Sequence, residues 1–180
     1  MGSKMGLKRT VIKVIKNSSA MYKLYTEIFN WALRIGSRFV PVQKKILFTS
    51  FNGDRYDDSP RALYEKMIRM PEFAEYDFVW AFRKPDEFEI PIGRKIGFDS
   101  FSYYKEAMTS KIWITNVSIE RGLHFKRKET IYVNTWHGTP LKKLNDPATK
   151  HAFDDVDVFC VQNDYSEKIM APLYKLKNDA

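Results

Sequence analysis

The rhythm of apolar and polar positions changes near Pro41. Before it, apolar residues return every three or four places: Leu7, Val11, Val14 and Ile15, then Met21, Leu24 and Tyr25, Ile28, Trp31 and Ala32, and Ile35. That spacing predicts one amphipathic helix, or two broken at positions 17–19. After Pro41 the apolar residues come in short runs closed by turn residues. "KKILFTSF" (44–51) reads as a buried strand ending at the turn "NGD" (52–54). "SPRALYEKMIRM" (59–70) reads as a helix, with Ser59 as N-cap and Pro60 at the first helical position. "YDFVWAF" (76–82) and "RKIGF" (94–98) read as strands, and "SFSYYKEAMTS" (100–110) as a helix. Three more strands follow, "KIWITNV" (111–117), a run over 130–136 and "VDVFCVQ" (156–162), before a helix from about Tyr165.

Strands apolar on both faces and alternating with helices predict a doubly wound, mostly parallel α/β sheet. The chain thus divides into an arm, residues 1–42, and a domain, residues 43–180. It shows neither an internal repeat nor a low-complexity tract.

Charge follows the same division. Residues 1–45 carry ten Lys or Arg against one acid, Glu27, while the rest carries twenty basic and twenty-one acidic residues. The net charge of +8 therefore belongs to the arm. Lys8, Arg9, Lys13, Lys16 and Lys23 fall mostly off the apolar stripe, so the helix can lie on an anionic membrane, with Trp31 among its interfacial residues. The alternative is that the stripe docks on the domain's own core. Nucleic acid ranks last as a partner, because no recognition motif accompanies the aromatic residues. No run approaches the ~20 apolar residues of a bilayer span, and no signal peptide is evident. The single cysteine, Cys160, excludes a disulfide framework and reads as a small core residue in a reducing compartment.

Ligands of such sheets collect beyond the C-terminal ends of the strands. Those ends carry Ser50 to Asn52, Thr115 with Asn116, Trp136 with His137, and Gln162 with Asn163. In "TWHGTPLKKL" (135–144), Thr139 and Pro140 repeat the grammar of a helix start. The N–H groups of such a helix favour phosphate, Gly138 permits close approach, and Lys142 and Lys143 add charge. His137 stands beside that anion site, and its residue type leaves open a general base or a loop hydrogen bonder. Asp54, Asp57 and Asp58 read as a solvated turn rather than a metal cluster. His124 and His151 read as surface residues, with no second ligand at metal spacing. Arg121, Lys126, Arg127 and Lys128 read as a solvated face or as contacts for phosphates or headgroups.

"TWHGTPLKKL" resembles the signature of the CDP-glycerol glycerophosphotransferases of teichoic acid synthesis. "SFNGDRYDDSPRALYEKM" (50–67), "WITNV" with "KRK" (113–117 and 126–128) and "VFCVQNDYSEKIM" (158–170) resemble the same family in the same order, so the likeness covers about residues 44–170. It implies the N-terminal half of a GT-B-type fold, two Rossmann-like domains facing across a cleft, often preceded by an amphipathic membrane-binding region. It implies transfer of glycerol phosphate from CDP-glycerol to an undecaprenyl-linked acceptor, releasing CMP, with no cofactor and no protein-bound metal. His137 then maps onto the proposed base, and Asn116, Gly138, Thr139, Lys142 and Lys143 onto the substrate side. The protein is expected at the cytoplasmic face of the membrane, held peripherally. Asn145 replaces a glycine frequent in the family, a mild change because Asn tolerates a left-handed cap. The chain is expected to lack the family's second, donor-binding domain and so to be inactive alone, as a fragment or a truncated product. The alternatives are a non-catalytic relic that binds membrane or acceptor, and half of a sugar transferase of the same architecture.

Overall fold

The computed structural model describes residues 19–140, 153–174 and 176. A long helix, α1 (Ser19–Arg38), precedes six strands: β1 (Gln43–Thr49), β2 (Asp77–Phe82), β3 (Arg94–Gly97), β4 (Ser110–Thr115), β5 (Ile131–Asn134) and β6 (Val158–Phe159). Helix α2 (Asp58–Met67) links β1 to β2, α3 (Phe101–Thr109) links β3 to β4, and α4 (Asp164–Tyr174) follows β6. All neighbouring strands run parallel, in the order β3-β2-β1-β4-β5-β6. This is the doubly wound order in which the chain crosses from one half of the sheet to the other between β1 and β4.

Strand alternation builds two cores. Ile46, Phe48, Phe78, Trp80, Phe82 and Ile114 face one side and pack with Tyr64 and Met67 of α2. Leu47, Val79, Ala81, Trp113 and Tyr132 face the other, against Leu33 of α1, Tyr103 and Ala107 of α3, and Met170 and Tyr174 of α4. Burial on both faces is why the strands read as continuous apolar runs.

Several local expectations are corrected. Helix α2 begins at Asp58, one residue early, and Asp57 stands at its N-cap without a side-chain cap bond. Ser59 therefore lies inside the first turn. Helix α3 does have a side-chain cap: Ser100 Oγ accepts from the Tyr103 N–H at 3.1 Å. The strand expected over 156–162 shrinks to Val158–Phe159, and Cys160 is exposed rather than core. Partial desolvation raises the Cys160 thiol pKa, which disfavours the thiolate.

The stripe read as membrane-facing, with docking on the core as the alternative, stays largely outside the core. Phe29 and Leu33 pack inward, with Phe29 edge-on to Tyr104 at 5.1 Å. Leu24, Ile28 and Trp31 stay 62%, 57% and 65% exposed. The Arg127 guanidinium donates to the Ser37 carbonyl at 2.7 Å and also to that of Val40, so a cation closes the C-terminal end of α1. No described helix is long and apolar enough to cross a membrane. Lys8, Arg9, Lys13, Lys16, Lys142, Lys143 and His151 lie outside the described residues.

Candidate active site

The strand order reverses between β1 and β4, the point at whose carboxyl edge sheets of this class hold ligands, and Asn116 follows the end of β4 there. Asn116 is fully buried, and its side-chain amide joins the two strand ends. Its Oδ1 accepts from the Phe51 N–H at 2.8 Å, and its Nδ2 donates to Asp58 Oδ2 at 2.6 Å. Expected on the substrate side, Asn116 is here a positioning group for the loop that follows β1. That loop is strained: Phe51, Asn52 and Gly53 have φ of 46°, 56° and 83°. A Cβ on Gly53 would approach Phe98 Cβ to 2.9 Å, so only glycine fits there without displacement. Strain of this kind persists only where the surroundings over-determine it.

On the next strand end, Asn134 turns the chain. Its Oδ1 accepts from the Trp136 N–H at 2.8 Å, and its Nδ2 donates to the Val117 carbonyl at 2.7 Å. Trp136 is held at φ 53° with its ring buried against Phe153, Phe159 and Tyr174. His137 lies flat on that ring, centroids 4.3 Å apart, and is itself exposed. The Phe51 ring centre lies 5.9 Å from that of His137, tilted by 42°, and the Arg55 guanidinium stands 4.8 Å from the Phe51 ring centre. The imidazole is thus presented to solvent on an aromatic platform between β1 and β5, with a cation nearby.

Gly138 has φ 137°, and among the described residues a Cβ there would meet nothing within 4 Å. Backbone conformation, rather than crowding by those residues, favours the glycine. The first turn of the helix expected after Pro140 lies outside the described residues. Thr139 Oγ1 has partners across the edge: Asn163 Nδ2 donates to it at 3.3 Å, and Ser166 Oγ at 3.4 Å. Asn163 in turn caps α4, its Oδ1 accepting from the Ser166 N–H at 2.9 Å.

The three aspartates of the β1–α2 segment go to separate partners. Asp54 pairs with Arg83 at 3.1 Å, Asp57 accepts from Ser50 Oγ at 3.2 Å, and Asp58 holds Asn116. The basic run after β4 is largely not a free face. Arg121 pairs with Asp99, Lys126 with Asp157 at 2.9 Å, and Arg127 caps α1; Lys128 is exposed. His124 is exposed, as expected, but it has ligand-type neighbours that the sequence did not show. Its Nδ1 lies 2.9 Å from Asp155 Oδ2, and Glu120 completes a group whose ligand atoms all lie within 4.8 Å of one another.

Known proteins give this geometry its context. A family model, CDP-Glycerol:Poly(glycerophosphate) glycerophosphotransferase, matches residues 34–180. A teichoic acid poly(glycerol phosphate) polymerase of Bacillus subtilis is 32% identical over 142 residues, 76% of this chain and 18% of its own length. A teichoic acid glycerol-phosphate transferase of Staphylococcus aureus is 30% identical over 144 residues, 77% of this chain and 32% of its own. The wall teichoic acid polymerase TagF, in a structure soaked with CDPG, superposes with a TM-score of 0.72 at 23% identity, covering 98% of this chain and 48% of the other. The chain therefore spans about half the length of that structure, and the likeness supports the GT-B-like α/β fold. With the family model covering everything from the end of α1 onward, the chain belongs to the CDP-glycerol:poly(glycerophosphate) glycerophosphotransferase family.

Proposed function

We propose that this chain forms the acceptor side of an enzyme that transfers glycerol phosphate from CDP-glycerol to a lipid-linked poly(glycerophosphate) in teichoic acid synthesis. The observation that carries the reading is His137, exposed on the Trp136 ring at the carboxyl edge of the sheet. In the reaction, the acceptor hydroxyl loses its proton to His137 as its oxygen attacks the β-phosphorus of the donor. The bond from that phosphorus to the bridging oxygen breaks, and CMP leaves with the electron pair. Phe51 and Trp136 fix the imidazole, and Lys142 and Lys143 supply charge for the phosphates. Such a base contributes roughly 10²–10⁴-fold to rate. Joined to a donor-binding half of the family, the chain with His137→Gln should release CMP from CDP-glycerol slower by about that factor, with its circular dichroism unchanged. A folded His137→Gln protein running at the parental rate overturns the assignment.

The acceptor's lipid places the reaction at a membrane, and α1 supplies the means of residing there. Leu24, Ile28 and Trp31 form an exposed apolar row on α1, with Lys23 exposed on the same helix. We infer a peripheral seat on the anionic cytoplasmic face, the row among acyl chains and the lysines over headgroups. Removing residues 1–40 should abolish binding to phosphatidylglycerol vesicles, and salt should weaken binding of the intact chain. Equal binding with and without the arm overturns this placement.

A further inference from the structure

The β4–β5 connection folds around a carboxyl group. Glu120 is 5% exposed, and its Oε1 accepts two backbone bonds, from the Phe125 N–H at 2.7 Å and the Lys126 N–H at 2.8 Å. Those bonds fix its orientation, as the outer contacts of a metal-binding carboxylate do. Asp155, from the segment before β6, reaches the same point and makes a side-chain contact with Glu120. Two carboxyl groups in contact, one of them buried, need a proton or a cation between them. Lys126, whose backbone N–H bonds Glu120, does not serve, because its ammonium is paired with Asp157 at 2.9 Å. The His124 imidazole closes the third side, its Nδ1 2.9 Å from Asp155, and the His124 backbone N–H donates to Asn30 Oδ1 of α1 at 3.0 Å.

We propose that Glu120, His124 and Asp155 form a binding site for one divalent cation of the zinc class. One imidazole and two carboxylates are the donor types that zinc accepts, at about 2.0–2.2 Å. Ligand atoms around a tetrahedral ion of that size stand roughly 3.4 Å apart. Here all lie within 4.8 Å of one another, so small side-chain rotations close the shell. His124 and Asp155 have side chains 51% and 39% exposed, which leaves the fourth position open to solvent. A bound ion would join three pieces of chain: the β4–β5 connection, the segment entering β6 and, through Asn30, helix α1. It lies outside the transfer chemistry, and its test reads metal binding alone.

The intact chain, freed of metal with a chelator, is titrated with Zn²⁺ by calorimetry and then with Co²⁺, whose visible absorption reports tetrahedral coordination. One ion per chain is expected. His124→Ala and Asp155→Asn should each weaken binding at least tenfold. Glu120→Gln, whose amide oxygen can still accept both backbone bonds, should do the same. His137→Ala and His151→Ala, which change the other two histidines, should leave binding intact. The exposed position of His124 keeps its variant foldable, as circular dichroism would verify, so that variant decides even if Asp155→Asn unfolds. Absence of saturable one-to-one binding, or binding that survives His124→Ala, overturns the site in favour of a shared proton.

Discussion

At the residue scale, the site depends on side chains that touch no reacting atom. A bulky residue in the left-handed region costs roughly 1–2 kcal/mol, and Trp136 accepts it at φ 53° because Asn134 holds its N–H and an aromatic cluster holds its ring. The sequence made His137 legible, since Trp-His-Gly-Thr-Pro after a strand is an unusual way to end one. It concealed Phe51, the second ring beside His137, because that contact joins two strand ends far apart in the chain. Asn116 was legible as a polar group at a strand end, but its role was not, because a buried amide and an exposed one look alike in a sequence. The expected outcome for Asn116→Ala follows from its two bonds to Phe51 and Asp58. Stability should fall by about 1–3 kcal/mol, the cost of stranding buried partners, as measured by urea unfolding. Asn116→Asp should be poorly tolerated as well, since it sets a second carboxylate against Asp58 where an N–H donor stood.

At the element scale, hydrophobic period identified α1 but left open whether its stripe meets a membrane or the domain. The predicted stripe and the docked row of Phe29 and Leu33 lie side by side on one helix, and periodicity cannot tell which meets protein. What settles the matter is the opposing surface, Tyr104 and Met108 of α3, together with Arg127 at the helix end. Arg127 came from a basic run that read as solvated. Arg127→Ala should leave the sheet intact while loosening the last turn of α1, because the carbonyls of Ser37 and Val40 lose a charged donor. Hydrogen exchange should speed up within 30–40 and not in β1 or β4. Unchanged protection there would show that packing alone fixes the helix. The strands were the most legible elements, apart from the last: "VDVFCVQ" is mostly apolar, yet only Val158 and Phe159 pair with β5.

At the scale of the whole molecule, the two edges of the sheet do different work. The carboxyl edge carries the strained loops and His137. The amino edge carries an ion network: Glu106 accepts from Arg94 at 2.7 Å and from Lys45 at 3.0 Å, and Arg94 also binds Asp77 at 2.8 Å. Burial pushes the Glu106 carboxyl pKa up, but the bonds from Arg94 and Lys45 outweigh it and hold the value below the ordinary one. A carboxyl whose folded pKa is lowered stabilises above its unfolded value, and that contribution disappears as pH falls through the folded value. Stability should therefore decline as the pH drops below about 4.3, the ordinary glutamate value, and Glu106→Gln should flatten this part of the curve in thermal melts at several pH values. The alternation of strands and helices announced the parallel class of the sheet, but strand order was not legible, because pairing partners are set by packing between distant segments. That order has a kinetic consequence. The central pair joins β1 to β4, and Ser50 meets Asn116 across 66 positions of chain. Loops of that length close late, because the chain loses the entropy before the contact returns any energy. The β1–β2–β3 half can assemble from nearer neighbours, whereas the carboxyl edge at the seam stays incomplete until the two halves zip together. Completing the fold and assembling this edge are then one event, and no folding intermediate that lacks the β1–β4 seam can set Phe51 beside His137.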